Sequence, residues 1–138
     1  MSQQTAFQER SRAILIALLF PTMAIILNGS TFGVALPTIR DDFGIAPDVA
    51  AWLSIAFSLP FMMLMPLYGR LGDELGKQRL LLGGVVIFCL GSLLALFSNS
   101  FLLIFAGRVV QGVGSAGVTP LSLAIITERF APDERGRA

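Results

Sequence analysis

The sequence has no histidine, one cysteine, one lysine, one tryptophan and one tyrosine in 138 residues, and only 14% of it is charged. With Cys89 alone inside an apolar run, there is no disulfide framework, no CxxC pair and no Cys/His zinc set, so imidazole and thiolate metal chemistry are excluded and no cofactor is expected. The net charge of +1 provides no clustered basic face for nucleic acid. A soluble domain carries about 25% charge. Here 54% of residues are hydrophobic and the mean hydropathy is +0.76, an excess of apolar surface that lipid must solvate.

What is present is a set of long uncharged runs. A helix of about 20 residues crosses a hydrocarbon core of ~30 Å. Residues 13–36 carry no charge, and Pro37 is expected to end that run. Arg10 and Arg12 before an apolar stretch also suit a cleaved secretory signal, but the stretch is long and has no convincing small-x-small site near its end. After Arg40, Asp41 and Asp42 a loop is expected, with Pro47 as a first-turn proline or Asp48 as a capping carboxylate opening a second span over 49–68. Trp52 and Tyr68 near its ends suit the two headgroup zones. The uncharged stretch 80–107 divides at Ser98, Asn99 and Ser100, a compact turn signal, which gives spans over 80–97 and 101–126. Residues 1–12 and 127–138 are left aqueous. The expected fold is all-α, a polytopic bundle of four transmembrane helices with no room for a separate soluble catalytic domain.

Charge placement orients the bundle. Arg10 and Arg12, then Arg70, Lys77 and Arg79, then Arg129, Arg135 and Arg137 fall on one side, and only Arg40 on the other. The positive-inside rule makes the first side cytoplasmic, so both termini are expected there.

Arg108 is the only charge inside a span. It lies roughly 10 Å past the start of the fourth span at 1.5 Å per residue, too deep for its side chain to reach the cytoplasmic interface. An arginine at a helix centre costs about 2.5 to 3.5 kcal/mol on insertion scales, so it should face protein or water. Gln111, Ser115, Thr119 and Ser122 follow at helical steps and extend a polar stripe. Asn28 and Thr31 on the first span, and Ser54, Ser58, Met62 and Met65 on the second, form matching faces. Flexible methionines suit varied apolar ligands or serve as ordinary apolar filler. The third span has no such stripe and is expected on the outside of the bundle. Arg108 as a pin for neighbouring helices is the competing structural role.

Gly112, Gly114 and Gly117 spell GxGxxG, but a dinucleotide fingerprint needs a strand before it and a helix after it. Within a spanning helix these glycines are expected to admit close helix packing, with Gly112 and Ala116 as a small-xxx-small pair. No nucleophile with an adjacent base and no paired carboxylates lie within the spans, so the chain does not read as an enzyme.

The loop GRLGDELGKQR, residues 69–79, sets ordered glycines and Asp73 among Arg70, Lys77 and Arg79. Pattern alone makes it a structured hinge. With IFAGRVVQGVGSA around Arg108, Gln111, Gly112 and Gly114, with LNGSTFGVALP in the first span and RFAPDERGRA after the fourth, the chain resembles the amino-terminal part of a major facilitator superfamily transporter, most like the fourteen-span drug:proton antiporters. The loop match runs through Gly69, Asp73, Gly76, Lys77 and Arg79.

The resemblance implies drug efflux by alternating access about a midplane site. Asp73 and the loop cations would form a charge network that closes the cytoplasmic side in one state. Arg108, Gln111, Ser115, Asn28, Thr31 and Ser58 would line the transport path. The implied partners are lipid, a small amphipathic substrate, protons and the remaining helices of a full-length transporter, and the implied location is a bacterial-type inner membrane. Three departures stand out. Asn28 occupies the position where this branch usually has aspartate, and a neutral amide takes up no proton. Glu74 and Gln78 stand where basic residues are common. The family builds its cavity between two six-helix bundles, against four spans here. A non-transporting four-helix membrane interaction protein, or an inactive shortened relative, is the alternative.

Overall fold

A computed structural model describes residues 2–129, with side chains over 18–128. The described residues form five helices: α1 (Ser2–Phe43), α2 (Pro47–Leu75), α3 (Lys77–Leu96), α4 (Phe101–Ser115) and α5 (Val118–Arg129). No strand occurs among the described residues. Four stretches are long and apolar enough to cross a membrane: Leu18–Phe43, Pro47–Leu75, Lys77–Leu96 and Phe101–Glu128. The tail sequence from residue 130 onward, including Arg135 and Arg137, lies outside the described residues.

The connections follow local chemistry. Gly44, at φ 59°, turns the chain out of α1 while Ile45 N–H donates to the Arg40 carbonyl. Pro47 then opens α2, where its missing N–H costs nothing. Asp48 sits in the first turn, and no side chain caps the helix. Gly76, at φ 92°, makes the sharp junction between α2 and α3, a conformation that L side chains rarely adopt. Ser100 caps α4 by accepting the Leu103 N–H at 3.4 Å.

Two sequence expectations are corrected. Pro37 does not end α1, which continues to Phe43 with both Pro21 and Pro37 inside it. Prolines are tolerated in spanning helices where neighbouring groups compensate the lost backbone bond.

The stretch over 101–126 is not one regular helix. It breaks at Ala116 and Gly117, because Pro120 has no N–H to return to the Ala116 carbonyl and its ring crowds that carbonyl. The Ala116 N–H still closes α4 on Gly112, and the Leu121 N–H starts α5 on Gly117.

The third span keeps an outward apolar face, with Leu82, Val86, Leu90 and Leu94 exposed, and packs on α4 through its small residues. A Cβ on Gly91 would stand 2.8 Å from the Gly107 carbonyl oxygen and 2.7 Å from Gln111 N, and one on Gly84 would stand 2.6 Å from the Gly114 carbonyl oxygen. The backbones of α3 and α4 therefore meet directly, the contact that small residues allow in lipid.

Between α1, α2, α3 and α5 lies an apolar cluster of Leu18, Tyr68, Leu81, Val118, Leu121 and Ile125 with Ala116. Leu53, Ala50 and Ala56 bury a second strip of α2. Large apolar side chains such as Phe20, Val34, Met62, Leu82 and Leu102 point outward, as lipid contact permits.

Candidate functional site

Arg108 is only 4% exposed. It projects from the middle of α4 toward α1 and α2. Nη1 donates to Asn28 Oδ1 on α1 at 2.8 Å and to Gln111 Oε1 on its own helix at 2.9 Å. Nε donates to the Leu53 carbonyl on α2 at 3.4 Å. The rings of Phe32 on α1 and Phe57 on α2 stand 3.8 and 4.5 Å from the guanidinium carbon, close enough for cation–π attraction. Gln111 passes the network on: its Nε2 donates to Ser92 Oγ on α3 at 2.9 Å, and Ser92 Oγ donates to the Phe88 carbonyl at 3.0 Å. One polar chain thus joins all four membrane-capable stretches.

Of the expected path residues, Arg108, Gln111 and Asn28 come together. Ser115 is buried on the same face but donates to the Gln111 and Gly112 carbonyls of its own helix, at 2.8 and 3.2 Å. Thr31 is exposed one turn beyond Asn28, and Ser58 is half-buried on α2; neither joins the hydrogen-bonded chain. The stripe does not run on to Thr119 and Ser122, because the break at Ala116 and Gly117 separates α5 from α4. Thr119 is exposed, and the enclosed Ser122 hydroxyl has no partner among the described residues.

Sequence reasoning missed four contributors. Ser92 had a signal, as the only serine in an otherwise apolar third span. Phe32 had one too, four residues after Asn28 and so on the same helical face. Phe57 lies beside Ser58 on α2, and the Leu53 carbonyl carried no side-chain signal at all.

The three glycines of α4 and the following turn meet different neighbours. A Cβ on Gly112 would collide with the Phe57 carbonyl of α2 and lie 2.8 Å from Pro60 Cγ. On Gly114 it would meet Phe88 and Gly84 of α3, and on Gly117 the ring of Tyr68. Their absent side chains set how closely α4 approaches the helices that carry the polar network.

A second polar group lies at the end of the bundle where α2 passes into α3. Lys77 Nζ pairs with Asp73 Oδ1 at 3.2 Å, one turn back, and with Glu128 on α5. The ion pairs therefore bridge α2, α3 and α5 around an open cavity of about 590 Å³, lined by Asp73, Gly76, Lys77, Arg79, Ile125 and Glu128. Gly69 lies on α2 with open space beside it, and Arg79 is exposed without an ion pair among the described residues. Glu128, which sequence reading left in the aqueous tail, is the long-range partner.

A multi-helix membrane bundle with a buried polar core and a charged junction at one end defines the class as a multi-pass integral membrane protein. The model of the Major Facilitator Superfamily, a family of membrane transporters, matches residues 18–138, and the chain belongs to that family. It is 34% identical over 125 residues to a puromycin resistance protein of Streptomyces alboniger, covering 90% of this chain and 25% of the relative. It is 28% identical over 137 residues to multidrug resistance protein 3 of Bacillus subtilis, covering 99% of this chain and 27% of the relative. A riboflavin transporter of Clostridioides difficile is 33% identical over 125 residues, covering 91% of this chain and 27% of the relative. The chain spans about a quarter of the length of these curated relatives.

Proposed function

We infer that this chain is the N-terminal part of a secondary active transporter that exports small amphipathic organic compounds in exchange for protons, from a bacterial-type inner membrane with its N-terminus in the cytoplasm. The observation that carries this reading is the Arg108 network. A charge held deep in a bundle by partners on several helices marks a ligand or ion pathway by default. The Lys77, Asp73 and Glu128 cluster serves as the cytoplasmic latch, and Arg108, Gln111, Asn28, Ser115, Thr31 and Ser58 lie along the path. Relatives named for drug resistance support the export direction. Asn28 is neutral and takes up no proton, so the coupling proton is handled elsewhere.

The test is transport in inverted membrane vesicles holding the full-length protein that carries this chain. An imposed inward-acid gradient is expected to drive uptake of a fluorescent amphipathic drug, and a protonophore to stop it. Uptake indifferent to the protonophore would remove proton exchange. Absence of uptake across a panel of amphipathic drugs would remove the export reading.

A further inference from the structure

A guanidinium has five N–H donors and no acceptor. In Arg108 three donors are used: Nε on the Leu53 carbonyl, and the two of Nη1 on Asn28 Oδ1 and Gln111 Oε1. All three acceptors are neutral oxygens, and no carboxylate of the described residues pairs with Arg108. Nη2 makes no hydrogen bond among the described residues. Nor is it sealed in, because the only enclosed side-chain polar atom without a partner among the described residues is Ser122 Oγ. The side chain is thus almost wholly buried, fully charged and undirected at one terminal nitrogen that retains a small opening.

Neutral acceptors orient a guanidinium but leave its net charge in place. In a low-dielectric setting that residual charge attracts an anion and repels a second cation. The rings of Phe32 and Phe57 lie against the guanidinium, and its Nε and Nη1 donors are spent. The free approach is therefore in the guanidinium plane at Nη2, the plane in which carboxylate oxygens meet arginine N–H groups. The same two rings give an apolar ligand body something to pack against, which a bare halide would not use.

We propose that Arg108 Nη2 is the docking point for the carboxylate of an organic anion, so that the small molecule handled by this protein carries negative charge. Calling that ligand a transport substrate rests on the transporter reading above; the binding site itself does not. Asn28 sets the preference. Because it is an amide, it holds Nη1 without neutralising the charge.

The test uses 19F NMR titrations of 4-fluorobenzoate and 4-fluorobenzylamine with the full-length protein in phosphatidylcholine nanodiscs. Saturable 4-fluorobenzoate binding is expected, about tenfold or more tighter than the amine, since one hydrogen bond to a charged group is worth at least that factor. Replacing sulfate by chloride at constant ionic strength is expected to leave benzoate binding unchanged. Asn28→Asp, which sets a carboxylate against the guanidinium, is expected to weaken benzoate binding about tenfold or more.

No saturable benzoate binding, or equal binding of the amine, overturns the proposal with wild-type protein alone, whatever the variant's folding. Displacement by chloride overturns the organic-anion class in favour of a halide site, and an unaffected folded Asn28→Asp variant overturns the role of Arg108. Export of a cationic dye without benzoate binding would remove this inference and leave the transporter reading. Benzoate binding in a protein that exports nothing would do the reverse.

Discussion

Arg108 on α4 donates from Nη1 to Asn28 Oδ1 on α1 at 2.8 Å, across 80 residues of sequence. This bond ties the most peripheral helix to the centre of the bundle. A guanidinium with three oriented hydrogen bonds and two flanking rings is fixed in place, and a fixed charge can discriminate between ligands.

Gln111 is the junction of that network, accepting from Arg108 and donating to Ser92. Gln111→Leu keeps the side-chain bulk but strands one N–H of Arg108. Leaving such a group unsatisfied costs about 1–3 kcal/mol, more when charged. Ser92→Ala removes one neutral bond, worth about 1 kcal/mol. Thermal unfolding in detergent is expected to rank wild type above Ser92→Ala and Ser92→Ala above Gln111→Leu; the opposite order would show that the Arg108 end of the network does not hold the helices.

Close contact between α3 and α4 sets a second expectation. At Gly91 an added Cβ would meet the backbone of Gly107 and Gln111, which cannot rotate aside, whereas at Gly29 it would meet nothing within 4 Å. Overpacking of this kind costs about 1–3 kcal/mol or more. In an exposed helical position alanine is favoured over glycine by roughly 0.5–1 kcal/mol. Gly91→Ala should therefore lower the melting temperature and Gly29→Ala should hold or raise it. Equal melting temperatures for the two would mean that α3 and α4 are not in backbone contact.

At the other polar group, Lys77 is shared between Asp73 and Glu128. Glu128→Gln removes the partner that reaches from α5 and leaves the pair within the α2–α3 junction. In a Cys89→Ser background, a cysteine introduced by Ile125→Cys on the cavity wall is expected to react faster with a water-soluble maleimide once Glu128→Gln is added. High salt should accelerate labelling of the parent in the same direction, because exposed ion pairs are screened. Rates insensitive to both changes would show that these ion pairs do not latch the junction.

Much of the architecture was legible in the sequence because a bilayer imposes long uncharged runs, and the turn at Ser98, Asn99 and Ser100 announces itself by composition. Proline was the weak signal. Pro37 lies inside α1, whereas Pro120, three residues after Gly117, contributes to a real break. The same residue type gave opposite outcomes because the surrounding packing decides whether the lost backbone bond is tolerated. Arg108 with Gln111 was readable from helical spacing, and so was Asn28, one turn before Thr31 on the first span. Ser92 was overlooked because a single serine makes no stripe, and the close approach of α3 to α4 was overlooked because a search for polar faces ignores glycine. Gly84, Gly91 and Ala95 form the face that meets α4, and it is recognisable only by its lack of bulk. The phenyl rings about Arg108 and the Leu53 carbonyl depend on how three helices cross, which no single helix encodes.

The most direct measurement is drug resistance of cells carrying the full-length protein with Arg108→Ala, alongside its membrane abundance. Resistance is expected to be lost while the amount of protein in the membrane stays at the wild-type level. Undiminished resistance at equal abundance would contradict a transport role for Arg108 and reduce the buried network to a structural tie between helices.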